Sequence, residues 1–237
     1  MPFISIDFWN TIVIAKSNGE QRHQARLDAL HRLATRQNKQ ITNKQIQEAN
    51  ARASQHFDEV WLGTQRTPDA AELVAHTLRH LGLEANARTL QQVTQIYEDS
   101  LLDGPPELAP GVAEALGALC QKFELGIISD TMFSPGRVLR NHLKQKGIHR
   151  FFSSFAFSNE VGVSKPHPAM FEKVLNETGG EKQGSWHIGD MQPTDIKGAQ
   201  AYGIKGLLYT GVSDAFAHDT TADLVCDSWE EIARRLL

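Results

Sequence analysis

The sequence predicts an α/β protein, a doubly wound parallel sheet with a smaller all-helical unit, from three observations. The chain opens on a short apolar run, Phe3-Ile4-Ser5-Ile6, that ends in Asp7 and breaks pattern at Trp9-Asn10-Thr11. From Val112 onward, short apolar runs alternate with segments of helical spacing, the pattern of a parallel sheet with helices on both faces. Between these lies a long polar stretch in which apolar residues recur at helical spacing and no strand pattern shows.

A chain of 237 residues can bury a substantial core in one domain or two. Its 41% hydrophobic and 22% charged residues are ordinary for a soluble globular protein, and no segment is long and apolar enough to span a bilayer. Met1 to Ala15 resembles a signal peptide superficially, but it lacks a basic start and carries Asp7 in its middle, so it reads as a strand. The net charge is −4 and Lys and Arg are scattered, so no nucleic-acid or membrane partner is expected. Cys120 and Cys226 lie far apart without metal-ligand spacing, which fits reduced thiols in a cytoplasmic protein.

Taken in order, the first strand is followed by helices at Leu27-Leu30-Leu33, around Asn43 to Phe57, at Leu73 to Leu81 ending at Gly82, and around Ala87 to Leu101. Thr67-Pro68 reads as a capping residue with proline at the first helical position. The breaker-rich run from Gly104 to Gly111 marks a boundary. Beyond it come a helix from Val112 to Lys122, a strand Leu125–Ser129, a helix from Pro135 to Lys146 and a strand Phe151–Phe157. A helix Pro168–Glu177, a strand Ser185–Ile188, a helix Thr194–Tyr202, a strand Lys205–Tyr209, a strand Leu224–Cys226 and a closing helix complete the chain. The sheet unit therefore comprises residues 1–15 and 104–237, and the helical unit residues 16–103.

Reactive groups fall at the tips of these strands. Asp7 ends the first and Ser129 the second; Lys165 follows Glu160-Val161-Gly162-Val163-Ser164 and precedes Pro166 and Phe171; and Gly189-Asp190-Met191-Gln192-Pro193-Thr194-Asp195 closes the series. Open parallel sheets bind ligands just outside the carboxyl ends of their strands. In this order the residues resemble the four motifs of the haloacid dehalogenase (HAD) superfamily of aspartyl-nucleophile hydrolases. The resemblance covers the sheet unit, with its Rossmann-like core; the helical unit matches the family's cap only by position and helicity.

The resemblance implies a Mg²⁺-dependent phosphatase for a small phosphorylated metabolite. Asp7 would be the nucleophile and, with Asp190 and the carbonyl of Trp9, would hold Mg²⁺, a hard ion that takes few protein carboxylates. Lys165 would neutralise the nucleophile and position the phosphate. Ser129, helped by the backbone N–H groups of Asp130 and Thr131, would bind phosphoryl oxygens. Asp195 would orient metal-bound waters or pair with Lys165, or else cap the helix that starts near Pro193.

One position departs from the family's phosphatases. They carry a second Asp two residues after the nucleophile as general acid and base; here the residue is Trp9. An indole donates no proton to a leaving oxygen, which implies weak turnover and a preference for aryl and acyl phosphates over alkyl ones. The superfamily's dehalogenases also carry an aromatic there and work without metal, so a metal-independent 2-haloacid dehalogenase stays open, as does a catalytically impaired phosphate-binding or regulatory protein. Asp190 and Asp195 favour the metal-dependent reading. Elsewhere, His76 and His80 read as a solvated helix face, His187 as a residue packed beside the sheet, Gly198 and Gly203 as packing and turn positions, and Arg22 and Arg26 as charges on a solvated helix face within possible reach of a substrate anion.

Overall fold

The computed structural model describes all 237 residues. In chain order, β1 (Pro2–Ile6) and β2 (Val13–Ile14) lead into four helices, α1 (Gly19–Arg36), α2 (Asn43–Thr64), α3 (Ala70–His80) and α4 (Ala87–Asp103). There follow β3 (Glu107–Leu108), α5 (Val112–Leu119), β4 (Glu124–Ser129), α6 (Gly136–Gln145), a 3₁₀ turn (His149–Phe151), β5 (Ser154–Phe157), α7 (Ser158–Val161) and α8 (Pro168–Thr178). The chain ends with β6 (Glu181–Gly189), a π turn (Gln192–Ile196), α9 (Lys197–Tyr202), β7 (Lys205–Tyr209), β8 (Leu224–Cys226) and α10 (Trp229–Leu236).

The main sheet has the order β5-β4-β1-β6-β7-β8, and every neighbouring pair is parallel. β1 sits inside it, with Ile6 aligned to Ile127 on β4 and to Ile188 on β6, so the ends of these three strands share one edge. Apolar residues pack on both faces, as a sheet covered by helices on both sides requires. Ile4, Ile6, Phe8, Leu116, Leu139 and Trp229 belong to one core, and Phe3, Ile128, Met170, Phe171 and Val174 to the other.

The helical unit has its own core, in which Leu30, Leu73, Val74 and Tyr97 meet Phe133 from the loop after β4. Arg22 binds the two chain crossings together: its guanidinium donates to the carbonyls of Ala15 (2.5 Å), Ser17 (2.9 Å) and Gly104 (2.6 Å). No helix is long and apolar enough to cross a membrane.

Several local expectations are corrected. β2 and β3 form a two-stranded antiparallel ribbon beside the crossings, with β3 inside the run read as breakers; two residues per strand leave no alternation to read. α2 continues past Phe57 to Thr64; Trp61 in this stretch lines a cavity and the residues after it are exposed, so no apolar stripe marks the extension. α3 is capped by Asp69, whose side chain accepts from the N–H of Glu72, while Thr67 lies outside the helix and bonds Ser158 Oγ at 2.7 Å. β6 begins four residues before Ser185, in an exposed polar segment with a register shift against β1. The segment from Thr194 opens with a π turn before α9 begins, a distortion that recurs at functional sites.

His142 on α6 is fully buried, edge-on to Phe8 with ring centroids 6.0 Å apart, and neither ring nitrogen has a hydrogen-bond partner. Burial, joined by the charges of Lys146 and Arg22, pushes it from 6.5 down to about 4. The unfolded chain therefore takes up a proton that the folded chain refuses, so this stability is full above the unfolded value and is lost as pH falls towards the folded one. Lowering the pH from neutral to about 4.5 should remove about 2–3 kcal/mol through this residue. Urea titrations of His142→Leu should show a correspondingly shallower loss; an equal loss in both proteins would remove His142 as the cause.

Candidate active site

Asp7 follows the last residue of β1, where its N–H donates to the carbonyl of Ile188 at 2.8 Å and fixes its backbone between two strands. Its carboxylate Oδ1 accepts from Lys165 Nζ, and Oδ2 has no bond from the protein. The same ammonium donates to Asp195 Oδ1 at 2.7 Å. All three side chains are buried. Asp195 also accepts from His187 Nε2 at 3.0 Å and from the N–H of Met191 at 2.9 Å. The other ring nitrogen of His187 lies 2.8 Å from Ser5 Oγ. With a carboxylate at Nε2, the neutral ring carries its proton there and accepts at Nδ1 from the serine hydroxyl.

Electrostatics divide these acids. Burial opposes ionisation of Asp195, but Lys165 and His187 outweigh it and hold the carboxyl well below its ordinary range. Burial likewise opposes the charge on Lys165, but Asp195, Asp7 and Asp130 raise its pKa above the ordinary lysine value. Asp7 is pushed up by burial and by the charges of Asp195 and Asp190, against the pull of Lys165. Asp190 is pushed up to about 7 by burial and Asp195.

Asp7, Trp9, Asp130, Lys165, Asp190 and Asp195 meet around a cavity of about 370 Å³, at the small end for ligand pockets. Asp130 holds two donors, the N–H of Lys165 at Oδ1 and the indole N–H of Trp61 at Oδ2, both 3.0 Å away. Ser129 and Thr131 do not line this cavity. Ser129 is fully buried at the end of β4, and the N–H of Thr131 already donates to Ser158 Oγ at 2.8 Å, which takes it out of the expected set of phosphate donors. His187 is a buried link in a hydrogen-bonded line rather than a packing residue. Asp195 resolves to the partner of Lys165.

The helices supply residues that the sequence left as solvated. Arg26 lines the cavity, with its guanidinium 4.5 Å from the Phe133 ring centroid and its Nε donating to Ser100 Oγ at 2.9 Å. Its terminal nitrogens have no acceptor in the protein, and burial pushes it down to about 10. Trp61 and Phe57 from α2 and Met132 and Phe133 from the loop after β4 complete the wall. Spacing along α1 gives no signal for Arg26, because the aromatic faces that receive it come from distant segments.

The donor chemistry fits Mg²⁺. Asp7 and Asp190 offer hard carboxylate oxygens to one cavity, the charge of Asp190 raises the cost of ionising Asp7, and a divalent cation between them would remove that conflict. Trp9, whose carbonyl the resemblance makes a third ligand, lines the same cavity.

Residues 42–208 match the haloacid dehalogenase-like hydrolase family. The glyceraldehyde 3-phosphate phosphatase of Methanopyrus kandleri is 28% identical over 131 residues, 54% of this chain and 53% of that protein. The chain spans about half the length of the curated relatives it matches. Among solved structures, a 2-haloacid dehalogenase from Pseudomonas syringae pv. Tomato superposes with a TM-score of 0.75 at 19% identity, covering 100% of this chain and 98% of that one. The HAD-hydrolase YfnB from Bacillus subtilis bound to magnesium superposes with a TM-score of 0.67 at 21% identity, covering 99% and 98%. Identities this low establish a common fold.

Gly189 is the residue that lets Asp195 reach Lys165, since a Cβ there would lie 2.2 Å from the Asp195 carboxyl carbon. Gly189→Ala should displace Asp195, lower stability by about 1–3 kcal/mol and reduce turnover. Thermal melts and activity assays check this; a variant as stable and active as the wild type would show that Asp195 need not stay where it is.

Proposed function

The chain belongs to the haloacid dehalogenase-like hydrolases, and we propose that it is a Mg²⁺-dependent phosphatase of a small phosphate ester, working through an aspartyl-phosphate on Asp7. One observation carries the choice of chemistry: Asp190 stands in the cavity with Asp7 and raises the pKa of that nucleophile. A metal-free attack on a carbon–halogen bond gains nothing from such a neighbour, because a second negative charge holds the nucleophile in its unreactive form. A cation-binding site gains its second ligand. The fold is common to phosphatases and dehalogenases and does not choose between them.

Mg²⁺ bound by Asp7, Asp190 and the Trp9 carbonyl would supply the positive charge that lets a phosphate dianion approach an acid-rich cavity. Lys165 opposes the burial that raises the pKa of Asp7 and fixes Oδ1, which leaves Oδ2 to attack phosphorus. Asp195, held ionised itself, keeps Lys165 charged and in place. Arg26, with two nitrogens unbonded, adds positive charge from the helical side for an anionic substrate. Residues 16–103 act as a cap over the strand tips, and the relatives named as phosphatases of small metabolites support a substrate of that size.

A panel of phosphate esters and 2-haloacids, run with and without Mg²⁺, tests this reading. Phosphate release that requires Mg²⁺ is expected, along with its loss in Asp7→Asn. Asp190→Asn should weaken Mg²⁺ binding in calorimetry and lower turnover by more than the roughly 10–100-fold typical of residues one step removed from a metal. Halide release without metal and no phosphate release would establish the dehalogenase instead.

A further inference from the structure

Four aspartates line the cavity, and the reading above occupies three of them. Asp7 is the nucleophile, Asp190 a metal ligand, and Asp195 is locked against Lys165 and His187. No histidine, glutamate, tyrosine or cysteine lines the cavity, and position 9, where a phosphatase of this family would carry its acid, is an indole. We propose that Asp130, on the cavity wall between the Lys165 amide and the Trp61 indole, is the general acid and base of the phosphatase reaction, an assignment that rests on that reading.

Strand register places it there. β1 and β4 run parallel with Ile6 beside Ile127, and counting on along both chains brings Trp9 and Asp130 to corresponding positions beyond the paired residues. The function absent at the tip of one strand is thus available at the tip of its neighbour. Each Asp130 oxygen accepts one hydrogen bond, and a carboxyl oxygen has a second lone pair to carry a proton or receive one from water.

Burial lifts Asp130 to about 6, against the charge and amide of Lys165 and the Trp61 indole, while Asp195 pushes it further up. Asp7, Asp190, Arg22 and Arg26 are the other charged groups on the same wall. An acid–base group acts best with a pKa near the working pH, where both of its forms are populated.

The chemistry balances on this chain's own groups. As Asp7 Oδ2 bonds to phosphorus, the bond from phosphorus to the leaving oxygen breaks with its electron pair on that oxygen, which takes the proton of Asp130. In the second half, the Asp130 carboxylate takes a proton from water as the water oxygen bonds to phosphorus and the bond from phosphorus to Asp7 breaks. Both carboxyl groups are then restored. Alkyl phosphates therefore become competent substrates, against the expectation drawn from Trp9 alone. Trp61 also makes the acid a shared property of both units, because its N–H comes from α2 and the carboxylate from the end of β4.

The test is rapid-quench kinetics with Mg²⁺, comparing 4-nitrophenyl phosphate, whose leaving group needs no proton, with an alkyl phosphate. In Asp130→Asn, single-turnover cleavage of the alkyl ester should fall by about 10²–10⁴-fold. The aryl ester should still give a burst of nitrophenolate close to one equivalent, followed by slow turnover while the aspartyl-phosphate persists. An asparagine amide can clash with the Trp61 N–H, so the same pair of esters is also run on Asp130→Asn in a Trp61→Phe background. There the alkyl-selective loss should remain. Equal losses on both esters, or no loss in a folded variant, would overturn the assignment and leave the phosphatase intact. A wild-type enzyme that cleaves neither ester would remove the phosphatase reading and the assignment with it.

Discussion

Lys165 places one ammonium, 4% exposed, between the carboxylates of Asp7 and Asp195, and the arrangement of the whole cavity depends on it. Burying three charges is costly unless the geometry is good and the remaining hydrogen-bonding capacity is used. The chain meets this with a continuous polar line: Ser5 to His187, His187 to Asp195, Asp195 to Lys165, Lys165 to Asp7. The line starts on β1, passes through β6, the turn that follows it and the loop before α8, and ends on Asp7 just past β1. Ser5, the one polar residue inside an apolar strand, has its reason here: it satisfies the inner nitrogen of a fully buried imidazole.

The parts of this arrangement carried by continuous segments were legible in the sequence. Apolar runs gave the parallel strands, and strand ends gave Asp7 and Asp190, because an acid that interrupts an apolar pattern at a strand tip stands out locally, whereas Lys165 and Asp195, which lie beyond the strands, were read from the motifs around them. What depends on distant segments was not legible. Trp61 meets Asp130 across 69 positions of chain, and Arg26 is received by Phe133 and Ser100, so no local window contains either relationship. Thr131 misled for the same reason: its amide is taken by Ser158 from the next strand's end. His187 looked like packing because a histidine in a strand carries no sign of its partners.

The two units are coupled through contacts of different character. Arg22 ties backbone carbonyls at both crossings, an arrangement that depends on donors rather than on packing. Phe133 leaves the loop after β4 and enters the helical core, so that loop cannot shift without disturbing the helices. Trp61 and Asp130 add a polar contact at the cavity itself. Displacement of α2 would withdraw a hydrogen bond from Asp130 and open the aromatic wall to water at the same time. Water entry weakens every charge interaction inside, so chemistry and enclosure rise and fall together.

Charge also gives a physical reason for an indole at position 9. The cavity already holds four aspartates against Lys165, Arg22 and Arg26, and the pKa values of Asp7, Asp130 and Asp190 are all raised. A carboxylate at position 9 would stand at the strand tip next to Asp130 and raise each of them further, at the expense of the nucleophile first. Trp9 adds no charge, packs edge-on against Phe8 with centroids 5.0 Å apart, and extends the apolar wall formed by Phe57, Trp61 and Phe133. With acid–base work on Asp130, the neighbouring strand tip is free to exclude water from the phosphorus–Asp7 bond until Asp130 has a water in place to attack it.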